Sequence, residues 1–230
     1  MSNRLTAVGF GADDTLWHNE QFYRLTQDRF AELLRDFTQP DHLMQRLLEA
    51  ERRNIGHYGF GIKGFVLSMI ETAIDVTEER VPAAVIRQLI EAGQEMLRHP
   101  IELLPFGREA VSWRYRVILI TKGDLLDQER KLAQSGRGEL FDGVEIVSDK
   151  TPQVYHDIFT RHAHGAERAM MVGNSMKSDV IPAIEAGGWG VFVPHGMVWE
   201  LEHEEPPEAH ARYHEISDLG GLSRLVDQIG

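Results

Sequence analysis

Near its start the chain reads Leu5-Thr-Ala-Val-Gly-Phe-Gly-Ala-Asp-Asp-Thr-Leu-Trp17. The apolar run from Leu5 to Ala12 is short and partly β-branched, and it stops abruptly at Asp13-Asp14-Thr15. A run of that length closed by polar residues reads as a buried strand. From about residue 19 to 100 the apolar spacing lengthens. Phe22, Leu25, Phe30, Leu33 and Phe37 recur at steps of three to five, which is the period of a helix face. Leu43, Leu47 and Leu48 continue after Pro40, a residue suited to a first helical turn. A third helix is expected over Phe65 to Ile74. A fourth starts near Pro82 and carries Val85, Ile86, Leu89, Ile90, Met96 and Leu97 on one face. A glycine-rich loop, Ile55 to Gly64, is expected among these helices and carries His57, Tyr58 and Lys63.

Beyond Pro105 the period switches back. Arg116–Ile120, Val144–Val147, Ala169–Val172 and Gly190–Val193 read as strands, and Arg212–Ile216 as a sixth. Helical stretches separate them, to about Ser135, from Thr151 to His162 and from Pro182 to Ala186, with a closing helix over Leu222–Ile229. Strands alternating with helices imply an α/β fold around a parallel sheet, whose ligands bind outside the C-terminal strand ends. The expected organisation is an α/β core from residues 1–17 plus 105–230, interrupted by a helical insertion over 18–104. Glu200 to His210 reads as a solvated loop.

The formal net charge of -12 over 230 residues repels a phosphate backbone, so nucleic acid is not an expected partner. The absence of cysteine excludes disulfides, thiolate catalysis and zinc-thiolate sites. No apolar run reaches membrane-spanning length and the first residues carry no signal segment, so the expectation is a cytoplasmic protein without membrane contact. Assembly as a homodimer stays open.

Four polar clusters fall at the expected strand ends: Phe10-Gly-Ala-Asp-Asp-Thr-Leu-Trp17, Leu119-Ile-Thr-Lys-Gly123, Ser148-Asp-Lys-Thr-Pro152 and Val172-Gly-Asn-Ser-Met-Lys-Ser-Asp179. Each alone is weak, because polar loops commonly follow strands. Most lysines are solvated, and a hydroxyl or acid before a helix commonly caps it. Their order and placement together carry the signal.

Taken together, the clusters resemble the four motifs of the haloacid dehalogenase (HAD) superfamily, in its phosphatase-like branch. The resemblance covers essentially the whole chain, and the insertion resembles the family's helical cap. It implies a parallel Rossmann-like sheet core with an inserted four-helix cap, acting on a small phosphorylated or other small-molecule substrate. In the family's first motif, Asp-x-Asp-x-Thr, the first aspartate attacks phosphorus and the second is general acid and base. Asp13 and Thr15 match the second aspartate and the threonine. The nucleophile position falls on Gly11, and Asp14 stands where a glycine is usual. A shifted frame, with Asp13 as nucleophile, would put Thr15 at the acid/base position and Leu16 where glycine follows, so it fits less well.

The resemblance further implies that Thr121 hydrogen-bonds a phosphate oxygen and that Lys150 neutralises the phosphate. Mg²⁺ would be held by Asp13, Asn174 and Asp179, with Asn174 in place of a frequent acid. Thr15, Lys122 and Ser175 would contact substrate, as would His57, Tyr58 and Lys63 of the cap. Without a carboxylate at residue 11 the covalent route is closed, so the chain is expected to be inactive or nearly so as a Mg²⁺-dependent phosphatase. A 2-haloacid dehalogenase-like enzyme and a non-catalytic phosphometabolite-binding protein are the alternatives.

Overall fold

A computed structural model describes residues 4–105, 107, 110 and 115–229. Six strands form one sheet: β1 Ala7–Phe10, β2 Arg116–Lys122, β3 Gly143–Val147, β4 Ala169–Gly173, β5 Trp189–Phe192 and β6 Tyr213–Glu215. Their order is β3-β2-β1-β4-β5-β6, and every pairing is parallel. The architecture is α/β and Rossmann-like. The sheet reverses direction of growth between β1 and β4, and such a switch point opens a crevice at the C-terminal strand ends.

Both faces of the sheet are covered at its centre, which is why β1, β2 and β4 read as continuous apolar runs. Side chains alternate across a strand. Val8, Phe10, Leu119, Met170 and Val172 therefore enter one core with Leu222, Leu225 and Val226 of α8 (Leu222–Ile229). Ala7, Ile118, Ile120 and Met171 enter the other, with Tyr155, Ile158 and Phe159 of α6 (Pro152–Ala163). Between β2 and β3 lies α5, Leu125–Ser135, whose first turn is capped by the Asp124 carboxylate accepting from the Asp127 N–H. A short helix α7, Ile181–Glu185, precedes β5.

Between β1 and β2 lie the helices α1 Glu20–Leu34, α2 Pro40–Tyr58, α3 Ile62–Val76 and α4 Ala83–Arg98. The chain divides into two compact units, residues 1–20 with 101–230, and residues 21–100. The helical unit has its own core of Phe30, Leu34, Leu43, Leu47, Phe65, Met69, Ala73, Val85 and Leu89. Within the sheet unit, the two strands of chain that lead to and from the insertion are bonded together. The His18 N–H donates to Glu102 O at 2.8 Å and the Leu104 N–H to Leu16 O at 2.9 Å, and Trp17 and Leu103 form an antiparallel bridge. Among the described residues no helix is long and apolar enough to cross a membrane.

One expectation needs correction. The glycine-rich segment Ile55 to Gly64 is mostly helix, because α2 runs on through Gly56 to Tyr58 and α3 begins at Ile62. Only Gly59–Gly61 makes the turn, with Gly59 at φ 70° and Gly61 at φ 119°, conformations that glycine adopts freely. Packing overrides the weak helix propensity of the other two glycines. His57 thus lies in the last turn of α2, Tyr58 ends it, and Lys63 lies in the first turn of α3.

Candidate active site at the strand ends

Phe10 ends β1 fully buried, and the Gly11 N–H extends the ladder by one residue, donating to Val172 O at 2.9 Å. A Cβ on Gly11 would stand 2.9 Å from Thr15 Oγ1 and 3.5 Å from Asp179 Oδ2. Position 11 therefore faces the point where the loops after β1 and β4 meet. Thr15 holds them together: its Oγ1 lies 3.1 Å from Asn174 Oδ1 and accepts the Asn174 N–H at 3.2 Å. Leu16 closes on Ala12 O and Asp14 on Trp17 O, making a tight turn with Asp14 at φ 56°. Aspartate tolerates this left-handed region better than most residues. Its carboxylate is held by the Asn19 N–H at 2.8 Å and the Glu20 N–H at 3.0 Å. Burial pushes the Asp14 carboxyl up, opposed by those backbone donors and by His195, and reinforced by neighbouring Asp13.

Beyond β4 the chain passes through Gly173 into a wide π-turn, Met176–Val180, a form that recurs at functional sites. The Asp179 side chain folds back onto Gly173, where a Cβ would lie 2.2 Å from Asp179 Oδ2. Only glycine leaves that space. Asp179 Oδ2 accepts the Ser175 N–H at 3.0 Å, and Oδ1 receives Lys150 Nζ at 2.6 Å. This ion pair is buried, with 6% and 3% side-chain exposure, and a buried pair persists only when hydrogen bonds satisfy both charges. Below it the Tyr155 hydroxyl donates to Ser178 O at 2.9 Å. Burial and the Asp179 charge push that phenol well above its ordinary value, so it acts as a donor.

Asp13 belongs to a second group. Lys131 Nζ reaches its Oδ1 at 2.9 Å and Oδ2 at 3.0 Å, Trp17 Nε1 donates to Oδ1 at 2.8 Å, and Gln128 Nε2 donates to Oδ2 at 2.9 Å. Gln128 Oε1 accepts from buried Thr121 Oγ1 at 3.2 Å. Burial would raise the Asp13 carboxyl, but the Lys131 charge and the donors from Gln128 and Trp17 overcome it and hold Asp13 below its usual value. Lys150 pairs with Asp179 and not with Asp13.

Lys122 Nζ lies 2.7 Å from Ser178 Oγ and 2.6 Å from Glu202 Oε1, and Ser175 Oγ donates to Glu202 Oε2 at 2.6 Å. Burial would raise Glu202, but Lys122 outweighs it and holds the carboxyl low. The stretch Glu200 to His210, expected as a solvated loop, is therefore anchored at Glu202, which has 14% side-chain exposure. Glu204 and Glu205 are exposed as expected. The loop folds down because its carboxylate finds a cation and a hydroxyl at the strand ends.

The structure thus gathers Asp13, Thr15, Thr121, Lys122, Lys150, Asn174, Ser175 and Asp179 at the C-terminal ends of the strands and in the segments that follow them, linked through Gln128, Lys131 and Glu202. His57, Tyr58 and Lys63 lie in the helical unit. Sequence reasoning missed Gln128, Lys131 and Glu202. The only trace of the first two is their three-residue spacing on α5, directly after Thr121-Lys-Gly.

The family model for haloacid dehalogenase-like hydrolases matches residues 5–187. A haloacid dehalogenase-like family hydrolase from Xanthomonas campestris is 40% identical, with a TM-score of 0.87, over 98% of this chain and 91% of its own. YfnB from Bacillus subtilis, a putative HAD-hydrolase solved bound to magnesium, gives a TM-score of 0.68 at 15% identity, over 97% and 99% of the two chains. L-2-haloacid dehalogenase from Xanthobacter autotrophicus gives 0.68 at 18%, over 98% and 100%. At those last two identities the likeness is one of fold. No curated protein sequence matches.

Proposed function

We propose, since this chain belongs to the haloacid dehalogenase-like hydrolase family, that its strand-end site binds the phosphoryl group of a small phosphate ester but lacks the carboxylate that would attack it. One observation carries this reading: the position whose side chain would stand 2.9 Å from Thr15 Oγ1 and 3.5 Å from Asp179 Oδ2 is occupied by Gly11. The same strand ends carry groups that phosphoryl chemistry uses. Thr121, Ser175, Lys122 and Lys150 offer donors and positive charge, the main source of catalysis in phosphoryl transfer. Lys122 and Ser175 already hold a carboxylate, that of Glu202, which supports an anion-binding role. Asp13 occupies the acid/base position. Lys131 keeps it ionised, ready to accept a proton, and it must take one up before it can protonate a leaving oxygen.

The donor set fits Mg²⁺ in kind: Asp13, Asn174 and Asp179 offer hard oxygens. These residues would hold the ion, and weakly, because Gly11 contributes nothing and Lys131 and Lys150 already neutralise the two carboxylates. A bound Mg²⁺ would supply charge stabilisation on the phosphoryl oxygens. The dehalogenase reading also requires a carboxylate at residue 11, but has no use for a second acid, so Asp13 favours the phosphatase reading.

The test is Gly11→Asp. Gly11 is not in a left-handed conformation, and the Thr15 hydroxyl must shift by a few tenths of an ångström to admit a Cβ. The unaltered chain should release no product from an aryl phosphate above background, while the variant should gain at least about 10³-fold, given that losing a nucleophile can cost on the order of 10⁶. The gain should vanish with chelator. Turnover of 2-chloropropionate instead would favour the dehalogenase. A Mg²⁺-dependent rate already present in the unaltered chain and lost in Asp13→Asn would make Asp13 the nucleophile.

A further inference from the structure

Asp14, His18 and His195 have no part in the chemistry above, yet each presents one ligand atom and the three atoms lie within 4.8 Å of one another. Asp14 and His18 follow β1, and His195 follows β5, so the cluster joins loops on either side of β4. Two of the three ligands are oriented by neighbours. Two backbone N–H groups, of Asn19 and Glu20, fix the Asp14 carboxylate. His195 Nδ1 lies 3.2 Å from Met197 O. A carbonyl only accepts, so Nδ1 donates there and Nε2 is left for a second partner. An imidazole N–H fixed on a backbone carbonyl is the usual outer support of a metal-binding histidine.

The free nitrogen, His195 Nε2, faces Asp14 Oδ1 at 3.7 Å. That is too long for a hydrogen bond. It is close to the separation of about 3.3 Å between two ligands of a tetrahedral ion at 2.0–2.1 Å. The third member shows the same deficit, since His18 Nδ1 is buried with no hydrogen-bond partner. Its backbone is fixed by the bond to Glu102 O. Two imidazoles and one carboxylate are a nitrogen-rich set that suits Zn²⁺, Co²⁺ or Fe²⁺ and not Mg²⁺.

We infer that Asp14, His18 and His195 form a binding site for one divalent transition-metal ion of the zinc class, separate from the oxygen-donor site around Asp179. Closing it requires the three ligand atoms, within 4.8 Å of one another, to draw in toward about 3.3 Å. The ion gives both imidazoles a partner and ties the loop after β1 to the loop after β5.

The experiment uses the metal-free full chain, carrying no added histidine tag, titrated with Co²⁺ and followed by visible absorption. One equivalent should give a d–d band, displaced by one equivalent of Zn²⁺ and unaffected by a large excess of Mg²⁺. His18→Gln and His195→Gln, made separately, should each weaken binding by at least about tenfold, since losing even an outer-sphere partner costs 10- to 100-fold. Zn²⁺ should also raise the melting temperature of the unaltered chain and not of either variant, with metal-free melting as the folding control. Absence of a band, its loss to Mg²⁺, or undiminished binding in both histidine variants would overturn the site. The readout is independent of hydrolysis, so failure here leaves the Gly11 reading untouched.

Discussion

Asp13 and Lys131 form the residue-scale feature with the clearest measurable consequence. Asp13 is held below its ordinary value against its own burial, so its ionised form is favoured in the folded state. That contribution is present above the unfolded value of about 3.9 and is lost as pH falls through the lower folded value. Replacing Lys131→Met removes the cation and lets burial raise the carboxyl. Stability at pH 7 should then drop by about 1–3 kcal/mol, the cost of leaving a part-buried charge under-satisfied. Urea unfolding at pH 7 and near pH 3 checks it: the gap between the two proteins should shrink at the lower pH, and an equal gap at both would mean that the lost packing of the lysine stem is the cause. Nothing in the sequence announced this pair. Asp13 stood out because it follows a buried run, whereas Lys131 sits mid-helix among charged residues, and only the docking of α5 on the sheet aims it at β1. His195 was missed for the same reason, being a lone histidine in an unpatterned loop.

The strands and helices themselves were legible. A strand buried on both faces leaves an unbroken apolar run, and an amphipathic helix leaves a stripe; β1 and α4 show the two signatures plainly. What the sequence could not show was a segment whose form depends on distant partners. The α2–α3 turn was read too long because glycines at 56 and 64 imitate a loop, and the Glu202 segment was read as solvated because its cation, Lys122, lies 80 residues away. The π-turn after β4 yields the prediction at this scale. Gly173→Ala would drive a methyl group into Asp179, where the Cβ position is 2.2 Å from Oδ2. Asp179 would have to leave Lys150, so the cost should reach the upper part of the 1–3 kcal/mol range for overpacking. Calorimetry should show the melting temperature falling by several degrees, and a change under about one degree would mean that the π-turn yields freely.

At the scale of the whole molecule, the buried apolar clusters divide as the chain does. Among the described residues, the cluster around Phe30 and Phe65 draws only on residues of the helical unit, and the others only on the sheet unit. Two cores that share no buried member can open separately. All 4 tryptophans, Trp17, Trp113, Trp189 and Trp199, fall in the sheet unit by sequence, so their fluorescence reports that unit alone, whereas far-UV circular dichroism is weighted toward the four long helices of the other. The two signals should give different midpoints in a urea titration. Coincident midpoints would show one cooperative structure.

The bonded crossing at Leu16–His18 and Glu102–Leu104 has a further meaning for how such a chain can change. It is a drawn neck: whatever lies between is, from the sheet's side, a closed loop whose ends are already joined. Closing a loop twice as long costs only about 0.6 kcal/mol more, so the neck makes the sheet nearly indifferent to the size of what hangs from it. A different insert, longer, shorter or of another fold, could be spliced between the same two hydrogen bonds while β1 and β2 keep their register. The chain is in that sense a socket with an exchangeable cassette, and inheritance or an engineer can replace one without redrawing the other.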